Sequence, residues 1–127
     1  MTQAILSVSD VALIPFHPST FGFNGTGSFF KRVAERVRRG RLRAACVASW
    51  RDPSATLADE MGASRVDCEL PVFEGIAQRG AFVQSMRDGH TVFDRGDRRA
   101  AADVRELLAD VAALLKTPGR EEPASCE

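Results

Sequence analysis

The chain of 127 residues has no tyrosine, one tryptophan, two histidines, three cysteines and only two lysines, Lys31 and Lys116. Each scarcity closes a route. Cys46, Cys68 and Cys126 are odd in number, widely spaced and outside any CxxC pair, which argues against a disulfide framework and for reduced thiols in the cytoplasm. His17 and His90 have no HxxxH spacing and no paired cysteines, so they are expected at turns or strand ends and no metal is expected. Neither lysine follows the glycine that a phosphate-binding Walker loop requires: Lys31 follows Phe30 and Lys116 follows Leu115. The Gly-x-Ser-x-Gly elbow of hydrolases is missing as well. No apolar run approaches the ~18–20 residues of a membrane span. Met1-Thr2-Gln3-Ala4 lacks the basic start of a secretory signal, so a cytoplasmic protein without membrane contact is expected.

What the sequence does have is 44% hydrophobic residues on a length that suits one domain. The formal net charge is +0, from 17 basic and 17 acidic residues, and it conceals an asymmetry. Lys31, Arg32, Arg36, Arg38, Arg39, Arg41 and Arg43 face a single acid, Glu35, whereas six acids between Asp52 and Glu74 face only Arg65.

Hydrophobic patterning predicts an α/β fold, with apolar strands alternating with amphipathic helices. Asp10–Phe16 reads as a buried, parallel strand that should end near Pro15, because proline cannot donate to a ladder. Residues 17–28 are rich in turn formers. A helix should follow, capped near Thr26 or Ser28, with Phe29, Val33 and Val37 inward and Gly40 as its stop. Leu42–Trp50 reads as a second strand, Asp52-Pro53-Ser54 as a turn and Ala55–Met61 as a short helix stopped by Gly62. A third strand is expected over Arg65–Leu70, ending at Pro71. Ala77–Arg87 should be helical, with Ala81, Phe82 and Met86 on one side, and His90–Phe93 extended. The final helix has Ala100/Ala101, Val104, Leu107/Leu108, Val111 and Leu114/Leu115 at three- and four-residue steps. Asp97 caps it, and a polar tail occupies residues 117–127.

Two segments have ligand chemistry to offer. Gly25-Thr26-Gly27 precedes a helix, where backbone amides could hold an anion, but a dinucleotide loop would need glycine at position 30, which is Phe30. On the following helix, Arg32, Arg36 and Arg39 share a face, and Arg38, Arg41 and Arg43 extend it. Phosphate contact and an ordinary solvated face both fit this arrangement.

Three blocks in order resemble the ParA/MinD-type partition ATPases. Ser9-Asp10-Val11-Ala12-Leu13-Ile14-Pro15-Phe16-His17-Pro18-Ser19 is similar to their "ADlvLIPvqPS" segment. Ile76-Ala77-Gln78-Arg79-Gly80-Ala81-Phe82 is similar to "I-x-x-R-x-A-F". Gly89-His90-Thr91-Val92-Phe93 with Ala100–Leu107 resembles the family's ending, and Cys46–Pro53 falls where the family has "vvlNrvdp". The resemblance spans about residues 4–116, and it implies the carboxy-terminal half of a P-loop NTPase-like, Rossmann-like fold. The Walker loop, switch segments and magnesium-binding acid belong to the family's other half, so no ATPase activity, no catalytic residue and no cofactor is expected. Ser49 stands where the family places a base-side Asn, a remnant of nucleotide contact at most, and Gly22 stands where an Asp is common. The family's non-specific DNA binding implies a DNA role for Arg79, beside the candidates Arg32, Arg36, Arg38, Arg39, Arg41 and Arg43 drawn from charge. The expected function is that of a truncated partition protein acting through DNA or partner binding. The alternatives are a regulator that pairs with a full-length partition ATPase or with itself, and a degenerate remnant.

Overall fold

The computed structural model describes residues 2–18, 26–40, 42–61 and 70–116. Its elements run α1 (Thr2–Val8), β1 (Val11–Phe16), α2 (Thr26–Arg38), β2 (Arg43–Arg51), α3 (Leu57–Met61), β3 (Val72–Ala77), α4 (Gly80–Asp88) and α5 (Arg98–Lys116). The architecture is α/β: three parallel strands in the order β1-β2-β3, flanked by helices. The expected fold class is therefore present as a short Rossmann-like layer.

β2 is the centre of the sheet and the most buried strand, as its run of small apolar residues requires. Ala44, Cys46 and Ala48 alternate with Ala45 and Val47, and all five are buried. Ala44 and Cys46 face α2, whose Val33 and Ala34 close a core that also takes Leu6, Leu42 and Leu70. The small side chains on β2 let α2 approach closely, and Phe29, Phe30 and Val37 fill the margin. Gly40, with φ +85°, turns the chain out of α2 in the left-handed region that glycine tolerates. On the other side of the sheet α5 lies against β3 and part of β2, with Ala100 and Ala101 buried.

Several local expectations hold. The Asp97 carboxylate accepts the Ala100 amide at 2.9 Å and its carbonyl accepts the Ala101 amide at 3.0 Å, so Asp97 is the N-cap of α5. Asp52 accepts both the amide and the hydroxyl of Ser54, at 2.9 and 2.7 Å, which fixes the turn after β2 and holds its carboxyl below the usual range. The helix expected from Ala55 begins at Leu57, because Thr56 Oγ1 accepts the Asp59 amide at 3.1 Å and acts as the cap.

Three expectations are corrected: the burial of β1, the start of the helix after β3 and the conformation of His90–Phe93. β1 is parallel but lies at the sheet edge and is only half-buried, with Leu13 41% exposed. The strand ends at Phe16, one residue past Pro15 and close to where the proline was expected to stop it. Residues 62–69 lie outside the described part of the chain, and with them Gly62 and most of the strand expected over Arg65–Leu70. The third described strand is Val72–Ala77, after Pro71, and because Ala77 belongs to it the helix expected from Ala77 starts at Gly80. His90–Phe93 is not extended: the Asp94 carboxylate accepts the Thr91 amide at 2.8 Å and its hydroxyl at 3.1 Å, folding the segment into a turn. That turn plants Val92 in the interior, and Arg105 from α5 stacks on Phe93 at 5.0 Å. The residues of the expected loop 19–25, and the tail 117–127, lie outside the described part.

Candidate functional site

In open parallel sheets, ligands meet the protein beyond the carboxyl ends of the strands. Here that place is a cleft of about 260 Å³ formed by the ends of β2 and β3 and by α4. Ser49 and Trp50 contribute from β2, Ile76 and Arg79 from β3 and its exit, and Phe82, Val83 and Met86 from α4. The cleft is mostly apolar and its mouth is open: Trp50 is 55% exposed and Met86 83%. Ser49, the position the resemblance associated with a nucleotide base, is part of this wall.

The backbone around the cleft is irregular for a reason. Cys46 and Val47 pair with Val72 and Phe73, but Ser49 pairs with Ile76 and Arg51 with Ala77. One extra residue is taken up first on β3 and then on β2, so two bulges cancel and the strands finish in step. Gly75 takes up the first with φ +63°; a Cβ there would lie 2.0 Å from the Ala48 carbonyl oxygen, so only glycine fits. Trp50 takes up the second with φ +60°, a conformation costly for a bulky residue, and so presents its indole at the rim. This is strain that an observed backbone outlier places beside a cleft.

Behind the cleft is an ion pair. Asp103, on α5 and 6% exposed, receives Arg79 Nε at 2.8 Å and Nη2 at 3.4 Å. The same carboxylate accepts the Ala77 amide at 3.3 Å, on the side of β3 where no strand lies among the described residues. The Asp103 hydrogen bond raises the Arg79 guanidinium further above its ordinary value, so it is charged at every accessible pH. Arg79 is thus committed to α5 and is remote in role from the other basic candidates. Its partner lies 24 residues away in sequence, and nothing in local spacing announces Asp103.

The basic candidates on α2 occupy the face opposite Val33 and Ala34. Lys31, Arg32, Arg38 and Arg39 are exposed and Arg36 is half-exposed. Glu35, the only acid on this helix, is paired with Arg39 at 2.8 Å, a surface contact one helical turn apart. Lys31, Arg32 and Arg36 have no acidic partner among the described residues. Arg43 sits half-buried at the start of β2, and Arg41 lies outside the described residues, as do the Gly25 end of the candidate anion loop and Gly22. Among the described residues no three of His, Cys, Asp and Glu gather to hold a metal ion, and no helix is long and apolar enough to cross a membrane.

No protein-family model matches the chain, and no curated protein matches it. The sites described above therefore rest on their own chemistry. Sequence reasoning named Ser49, Arg79 and the α2 arginines as candidates, and did not name Asp103, Trp50, Gly75 or the exposed rim formed by Met86. For Gly75 and Trp50 the available signal was a glycine inside an apolar run and a lone tryptophan at a strand end, both marks of a bulge or a close approach.

Proposed function

We propose that this protein is a ParA-like partition relative that acts without catalysis, by binding DNA through the exposed face of α2. One observation carries the reading: a row of cations with one already paired acid stands on a helix whose other face is pinned to the core. Arg32 and Arg36 stand one helical turn apart, about 6 Å along the axis, with Arg39 beside them on the same face and paired to Glu35. Arginine suits this role because its planar fork meets phosphate oxygens two at a time. The contact is to the backbone of DNA and so carries no sequence preference. The resemblance in Ser9–Ser19, Ile76–Phe82 and Gly89–Leu107 supports a partition role on plasmid or chromosome, in the cytoplasm where DNA is at hand. With no phosphate-binding lysine loop in the sequence, binding is not gated by nucleotide.

The test is a salt titration of binding to a random-sequence duplex. Affinity should fall steeply from low to physiological salt, by about 0.9 log units per log unit of salt for each phosphate engaged. Arg32→Ala with Arg36→Ala should lower that slope by about 2 and weaken binding uniformly across sequences. Unchanged binding in the double variant, or no binding at low salt, contradicts the proposal. Steady turnover of ATP by the pure chain contradicts its non-catalytic part.

A further inference from the structure

We infer that the cleft at the ends of β2 and β3 binds a small, neutral, flat aromatic molecule carrying a carbonyl acceptor, of the size of a fused bicyclic ketone. The cleft shares no residue with the basic face of α2, so the inference stands whether or not the chain binds DNA.

Size and lining set the first constraint. An apolar cavity of about 150 Å³ holds one benzene ring. The cleft has about 260 Å³, which admits a second fused ring or a short substituent and little more. Its walls suit a flat ring system. Trp50 from β2 and Phe82 from α4 present aromatic faces, Ile76 from β3 and Val83 from α4 present branched aliphatic surface, and the Met86 thioether is a soft contact for a ring edge.

The backbone supplies the second. Trp50 is the only residue other than glycine with a positive φ among the described residues, at +60°. Glycine would meet the same bulge without strain, as Gly75 does on β3. More than half of the Trp50 side chain reaches water, so the strain is not offset by burial in the core. What it achieves is an indole held at the mouth of a cleft, where a flat ligand would complete the packing.

The polar groups supply the third. Asp103 takes Nε and Nη2 of Arg79, whereas Nη1 has no acceptor among the described residues, and neither has the Trp50 indole N–H. Both groups can only donate, while the Ser49 hydroxyl and the Gln78 amide, also at the cleft, can turn either way. A ligand that covers these donors must therefore bring an acceptor, and a plain hydrocarbon would leave them dry. The acceptor should carry no charge. Asp103 already neutralises Arg79, and a ligand carboxylate would set a second anion against the same half-buried guanidinium.

Titration of the isotope-labelled full chain with indanone, a benzylic ketone on fused six- and five-membered rings, tests this by proton–nitrogen correlation NMR. Trp50 is the only tryptophan, so its indole N–H is a single reporter at the site. The ketone should shift that signal and the Ile76 amide saturably, with a Kd on the order of 0.1–1 mM for about ten heavy atoms. Indane, with the same rings and no acceptor, and indane carboxylate should each bind about fivefold more weakly. Trp50→Gly should weaken indanone about tenfold, read at Ile76, without lowering the melting temperature, because glycine is relaxed at this φ. The proposal is overturned if indanone gives no saturable shift up to about 5 mM. It is overturned equally if indane or the carboxylate binds as tightly as the ketone, if Trp50→Gly leaves the affinity unchanged, or if adenosine binds at these residues more tightly than indanone.

Discussion

β1 and β3 are both six-residue outer strands of the same sheet, and they are finished in opposite ways. At β3 the last outward amide, on Ala77, is taken by the buried Asp103 carboxylate, which is itself neutralised by Arg79. α5 lies along the strand, and at the Gly75 bulge the backbone passes close to the Ala48 carbonyl. At β1 nothing comparable exists among the described residues, and Leu13 and Pro15 meet solvent. The contrast teaches that edge protection here is a matter of side-chain chemistry and not of strand composition. A single carboxylate from a helix does for β3 what a neighbouring strand would otherwise do, and the one device on β1 is the missing donor of Pro15.

The closed edge should be the fragile one to mutate. Asp103→Ala strands a guanidinium that is only 19% exposed and removes the acceptor of the Ala77 amide, so a loss of about 3–5 kcal/mol is expected in urea unfolding. Replacing both partners, Asp103→Ala with Arg79→Met, should cost less than the carboxylate alone, because no buried charge is then left without a partner. If the double variant is the less stable of the two, the edge is held by something else. Next in size is Gly75→Ala, expected to cost about 2–4 kcal/mol from the left-handed backbone and the contact with the Ala48 carbonyl. A neutral result in the same unfolding assay would mean that the paired bulges relax freely. Smallest is Leu13→Lys at the open edge, within about 0.5 kcal/mol, since the side chain already reaches water.

The same contrast explains what the sequence made legible. β2 and α5 could be read directly, because burial on both faces produces an unbroken apolar run and burial on one face produces three- and four-residue steps. Asp97 could be read as a cap for the same local reason. β3 was not readable as a strand, because Glu74 and Gly75 interrupt its apolar run and the bulge they accommodate is set by β2. The Asp103 contact was invisible because its partners, Ala77 and Arg79, are brought to it by the crossing of α5 over β3. Arg79 was noticed as a cation but could not be seen to be paired. The exposed state of β1 was equally hidden: Val-Ala-Leu-Ile has the same composition whether or not another strand lies beside it. The basic face of α2 was legible from spacing alone, since helix period and charge are both local.

Amide hydrogen exchange resolved by residue tests the contrast between the two edges most directly. The account predicts that the Ala77 amide is protected nearly as well as the amides of β2 at any protein concentration. It predicts that the Val11 and Leu13 amides, on the open edge, exchange freely. Equal protection of Leu13 and Ala77 in dilute solution, or rapid exchange at Ala77, would contradict it.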